Sequence, residues 1–140
     1  MRIQYHHVAY WLFKQEPSSY SYSRLEKEGR TVWDGVTNNL ALKHLRNIKK
    51  GEMAFFYHSG AEKQIVGLMN IVSDSYPDPK NKSLTVVDVK PAGRLAKPVT
   101  LQAIKNDPAF ADWELVRLSR LSVMPVPATL WQRIMKMSRA

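Results

Sequence analysis

Trp33, Asp34 and Asn38 form a short cluster in which one large ring stands among small and polar neighbours, with Gly35 between them. Further polar groups lie on either side in sequence, Lys14 and Glu16 before the cluster and Tyr57 and His58 after it. Such residues suit the capture of a planar heterocycle. An aromatic face stacks on any nucleobase for ~1–3 kcal/mol, while amides, carboxylates and backbone groups read its edge. Trp33 is expected in a loop with its ring available for stacking, whereas Trp11 and Phe13 alternate with Leu12 and read as core. Glu16 and Asp34 offer an acid/base pair in principle, although carboxylates beside turns more often cap them.

Other chemistries find little support. The glycines at 29, 35, 51, 60, 67 and 93 form neither a dinucleotide fingerprint nor a phosphate loop. No G-x-S-x-G elbow occurs, although a Ser-His-Asp set is defined by space and not by order. His44 and His58 lack carboxylates at a ligand spacing, and His6-His7 lies in the leader. With no cysteine there is no disulfide, thiolate metal site or thiol nucleophile. No cofactor and no metal are expected.

These residues must be held by short elements. Ala9 to Lys14 reads as a first strand ended by Pro17. Ser18 to Gly29 reads as a helix with Ser21 at its cap, and Thr31 to Asn39 as irregular chain. Asn39 to Lys50 carries Ala41, Leu45 and Ile48 on one helical face. Met53–Ser59 and Gln64–Val72 read as a hairpin turning at Gly60. The prolines of Tyr76 to Lys82 predict a loop, Leu84 to Val89 a strand, and Pro91 to Pro98 a connection. Short helices are expected after Thr100 and around Pro108 to Trp113, then a strand at Ser122–Val126 and a closing helix at Leu130–Met137. Strands interleaved with helices predict an α+β domain built on a small barrel.

The chain of 140 residues fits one domain, with residues 1–8 read as a leader and 9–138 as the folded unit. A net charge of +9, from 21 Lys plus Arg against 12 Asp plus Glu, favours a polyanionic partner. After Glu114 no acidic residue follows, while Arg117, Arg120, Arg133, Lys136 and Arg139 do. No apolar run approaches the ~20 residues of a membrane span, so a cytoplasmic protein without membrane contact is expected.

Several blocks together resemble the EVE domain family. They are Trp11-Leu12-Phe13-Lys14-Gln15-Glu16-Pro17, Val32-Trp33-Asp34-Gly35-Val36 with Asn38, Phe56-Tyr57-His58-Ser59, Ile65-Val66-Gly67, Tyr76-Pro77-Asp78-Pro79 and Ser119 to Val126, in that order. The resemblance spans roughly Ala9 to Ile134. It implies a PUA-like fold, a small mixed β-barrel flanked by short helices, related to ASCH and YTH domains. Its bacterial members often stand alone. It further implies binding of DNA or RNA carrying a modified base, with modified cytosines such as 5-methylcytosine favoured.

By the same resemblance Trp33 would be a cage wall or stacking platform, with Asp34 beside it among the ligand-binding residues, and Lys14, Gln15 and Glu16 would line the pocket mouth. Asn38 would bond to base or phosphate, Tyr57, His58 and Ser59 would close another wall, and Leu121 and Ser122 would form the floor or rim, with Arg120 near the backbone. Position 15 departs from the family's usual small hydroxyl residue, and a longer amide there alters which base fits. Two other functions stand beside this one: an enzyme acting on a modified nucleobase or nucleotide, and a partner-binding domain. A monomer is expected.

Overall fold

The computed structural model describes residues 9–140; the leader expected at residues 1–8 lies outside them. Its frame is a mixed sheet curled into a half-barrel. Strand β1 (Tyr10–Gln15) pairs in parallel with β3 (Met53–His58), so that Lys14 faces Tyr57 and Gln15 faces His58. Every other pairing is antiparallel: β1 with β7 (Val123–Val126), β3 with β4 (Gln64–Ile71), and β4 with β6 (Asn81–Thr100). Strand β2 (Thr31–Trp33) and the short β5 (Tyr76–Asp78) also pair with β6. The path through the sheet runs β2-β6-β4-β3-β1-β7.

Helix α1 (Tyr22–Glu28) is capped as its sequence demands. The Ser21 side chain accepts the Arg24 N–H, and Gly29 ends the helix in the left-handed region at φ 75°. Helix α2 (Asn39–Arg46) starts at Asn38, whose side-chain oxygen accepts the Ala41 N–H, and buries Ala41, Leu42 and Leu45. Helix α3 (Leu101–Lys105) is capped by Thr100, α4 (Glu114–Arg117) follows a turn at Pro108–Phe110, and α5 (Ala128–Met137) closes the chain. Among the described residues no helix is long and apolar enough to cross a membrane.

Two segments differ from their expected form. The stretch read as irregular begins with β2, and the connection read at Pro91–Pro98 is part of the 20-residue β6. Prolines fit there because β6 is bulged. Pro91 sits at a register shift opposite Leu68 and Met69, and Pro98 lies in the longer irregularity opposite Ile65 to Gly67.

Alternation along the strands sorts the aromatic residues onto two faces. Phe13 and Phe56 meet Trp33, with ring centroids 5.1 and 5.3 Å away. On the other face Tyr10 and Phe55 stack on Trp131 of α5, at 4.3 and 3.8 Å. Near the start of β1 the buried Glu52 carboxylate accepts the Trp11 indole N–H and the Lys49 and Ala9 backbone N–H groups.

Candidate nucleic-acid interface

The parallel pair brings the last residues of β1 and β3 to one edge, where the Ser59 N–H donates to the Gln15 carbonyl. Neighbouring side chains at a strand end point to opposite faces. Gln15 therefore follows Phe13 towards Trp33, while Lys14 lies beside Tyr57 with its ammonium 5.6 Å from that ring's centre. The two residues serve different clefts, one on each face.

The first cleft, of about 240 Å³, is lined by Gln15, Ser19, Tyr20, Thr31, Val32, Trp33 and Asp34. Trp33 is on a strand and not in a loop, and only 4% of it is exposed. The reason is the β2–β6 pairing, which turns Trp33 inward opposite Val87 and leaves Val32 outside. Its indole is packed by Phe13, Phe56 and the edge of Tyr20, so the cleft opens along a narrow strip of the ring. That is a wall, not an open platform.

Polar groups surround this strip. The Gln15 side-chain oxygen accepts the Glu16 N–H, which leaves its amide N–H₂ to donate. Asp34 is exposed and supplies an acceptor. The Tyr20 hydroxyl donates to Glu28 at 2.7 Å, the Arg24 guanidinium lies 5.1 Å from the ring centre, and burial raises the pKa of that phenol. Ser19, Tyr20, Thr31 and Val32 were not among the residues singled out from sequence. A turn at Glu16, whose carbonyl accepts both the Ser19 and the Tyr20 N–H, brings the first two in.

The second cleft, of about 230 Å³, gathers Lys14, Tyr57 and Ser59 with Gly60, Lys63, Leu101, Lys105, Leu115, Val116 and Ser119. The Lys14 ammonium donates to the Ser119 carbonyl at 3.0 Å, and burial holds its pKa below the usual lysine value. The Tyr57 phenol is pushed up to about 12 by the same cause.

The remaining candidates are distributed elsewhere. Asn38, Arg120 and Leu121 border a shallow groove with Leu40 and Leu118, where the Asn38 oxygen is already used as a helix cap. Ser122 offers its carbonyl to the Lys14 N–H, and Leu121 is a core residue. Glu16 accepts the Ser18 N–H and hydroxyl and lies where a side chain on Gly60 would stand. Among the described residues no group of three or more His, Cys, Asp or Glu side chains is placed to hold a metal ion.

His58 serves the fold. Its Nε2 accepts the Tyr22 N–H at 3.1 Å, so its proton sits on Nδ1, which faces Glu62 at 3.0 Å. His58→Ala would leave a buried N–H without an acceptor and is expected to lower stability by about 1–3 kcal/mol. A urea melt checks this, and an unshifted midpoint would release the ring for another role.

A curled mixed sheet with helices on its flanks, opened into clefts where two parallel strands end together, defines a PUA-like domain. The EVE domain model matches residues 9–137, and the chain belongs to that family. A protein from Rhodopseudomonas palustris solved by NMR is 43% identical, with TM-score 0.89 over 94% of each chain. Thymocyte nuclear protein 1 of Homo sapiens is 44% identical in an alignment 86 positions long that covers 50% of this chain and 36% of the human one. The chain thus matches about a third of that relative's length. The crystal structure of human THYN1 protein in complex with 5-methylcytosine-containing DNA is 26% identical, with TM-score 0.86 over 94% of this chain and 98% of that one.

Proposed function

We propose that the protein binds nucleic acid bearing a modified base, and that the base is a modified cytosine seated in the cleft beside Trp33. The observation carrying this reading is that an amide donor, Gln15, and an exposed carboxylate acceptor, Asp34, line one cleft with the Trp33 indole. Cytosine presents the complement, an exocyclic amine that donates to carboxylates beside ring acceptors. The human relative's complex with 5-methylcytosine-containing DNA supports the same ligand class.

Energetics limit the selectivity. Extruding a base from a duplex costs a few kcal/mol, which stacking and edge hydrogen bonds offset. A buried methyl adds ~0.8 kcal/mol, or about fourfold in affinity. The expected result is a preference of about that size for 5-methylcytosine over cytosine in matched single-stranded oligonucleotides, measured by fluorescence anisotropy. Asp34→Ala and Gln15→Ala, both outside the core, should weaken binding of both oligonucleotides by removing the edge contacts that seat the base. Equal and purely salt-driven binding to all oligonucleotides would overturn the reading.

A further inference from the structure

We propose that the cleft on the opposite face, around Lys14, Lys63 and Lys105, holds a backbone phosphate of the nucleic acid whose base enters beside Trp33. This extends the reading above and rests on it for the identity of the strand. Three elements contribute the three ammonium groups: the end of β1, the β3–β4 turn and α3. No Asp or Glu lines the cleft. Among the described residues the basic side chains paired with carboxylates are arginines and His58, and the lysines, Lys63 and Lys105 with them, enter no ion pair. Carboxylates do stand on the flanking turns, Glu16 bonded to Ser18 through one oxygen and Glu62 bonded to His58, and Glu62 borders a neighbouring depression that Lys63 and Lys105 also line.

The lysines are positioned, not merely gathered. Lys63 has a left-handed backbone at φ 50°, a conformation uncommon outside glycine, asparagine and aspartate, and its carbonyl accepts the Leu101 N–H at 2.9 Å. That bond fastens the turn to the start of α3. Leu101 and Lys105 lie four residues apart on one helical face, and both line the cleft. Lys14 is fixed by the Ser119 carbonyl and keeps two N–H groups for another acceptor. Lysines brought to one cleft from three separate elements suit a tetrahedral oxyanion, whereas a planar carboxylate is matched by a single guanidinium fork. Burial already disfavours the charged form of Lys14, and an anion beside it would reverse that effect. Lys14 and Gln15 being neighbours, one strand of nucleic acid crossing the end of β1 meets both clefts.

The test is a salt series of anisotropy titrations with a single-stranded oligonucleotide containing one 5-methylcytosine, beside its unmodified twin. The double variant Lys63→Gly, Lys105→Ala removes two charges, and glycine also suits the backbone at position 63. Each lost phosphate contact lowers the slope of log K against log salt by about 0.7 for single strands. The double variant is therefore expected to lose up to about 1.4 of slope, with equal loss of affinity on both oligonucleotides and an unchanged ratio between them. The pair Lys43→Ala, Lys50→Ala, on and just beyond α2, should leave the slope near wild type. An unaltered slope in the cleft variant, or an equal loss in the α2 pair, overturns the proposal. If the wild type shows no preference for the methylated strand yet the slope falls as stated, the base reading fails and the phosphate site stands.

Discussion

Trp33→Ala is expected to remove about 3–5 kcal/mol of folding stability, the range for truncating a large buried aromatic side chain. The indole is 4% exposed and wedged against Phe13, Phe56 and Tyr20. Its loss deletes apolar burial and opens a hole bounded by rings that cannot collapse while their strands stay paired. Because the cleft adjoins the hole, water can enter, which places the cost towards the lower end. For a domain of this size the melting temperature should fall by roughly 10–20 °C. Urea unfolding at equilibrium checks it, and a loss under about 1 kcal/mol would show that the ring contributes little to the core. The practical consequence is that this substitution cannot isolate a binding role. Asp34 and Gln15 can.

Tyr22→Ala should cost a similar amount, about 3–5 kcal/mol, for reasons that combine packing with hydrogen bonding. Its ring is wholly buried, set edge-on to Phe56 at 5.3 Å. Its hydroxyl accepts the Gly93 N–H at 3.1 Å and lies within bonding distance of the Leu68 and Gly93 carbonyls, joining β4 to β6 where their register is irregular. Tyr22→Phe keeps the ring and should cost only about 1–3 kcal/mol. Gly67 supplies a sharper check. A Cβ there would stand 2.5 Å from Tyr22 Cε1, so Gly67→Ala should destabilise the parent by about 1–3 kcal/mol. In the Tyr22→Ala background the added methyl should be harmless. An equal cost in both backgrounds would deny that the tyrosine is what forbids a side chain at position 67.

Much of the frame can be read before any coordinates. Ser21 and Gly29 bracket α1, the apolar face of α2 identifies it, and the breakers around Gly60 mark the β3–β4 turn. Local chemistry governs these positions. Strand β2 escapes because three residues are too few to show a period, and Asp34-Gly35 beyond it reads as loop. Strand β6 escapes because its prolines are tolerated only through bulges set by β4. The misjudged exposure of Trp33 follows from the first of these. Once Thr31–Trp33 pairs with β6, alternation decides which side chain turns inward.

The candidate site divides along the same line. Gln15, Trp33 and Asp34 do meet, yet Lys14, Tyr57 and Ser59 meet on the opposite face, and Asn38 and Arg120 border a third depression. Strand parity alone separates Lys14 from Gln15. What sequence could not supply is the company each keeps. Lys63 and Lys105 meet at the second cleft where the Lys63 carbonyl binds the Leu101 N–H and Gln64 pairs with Thr100, contacts between distant stretches of chain.

The position of β6 also bears on how the molecule is made. Among the described strands β2 has no ladder partner but β6, which lies some fifty residues further along. A ribosome-bound fragment ending before residue 81 can form α1 and α2 and pair β1, β3 and β4, but Thr31–Trp33 has nothing to join. During that interval the indole that later lines the cleft is without its roof. Contacts so far apart in sequence form slowly, so the cleft beside Trp33 follows the β1–β3–β4 ladder on a growing chain, while the cleft beside Lys14 waits longer still, until Ser119 has emerged.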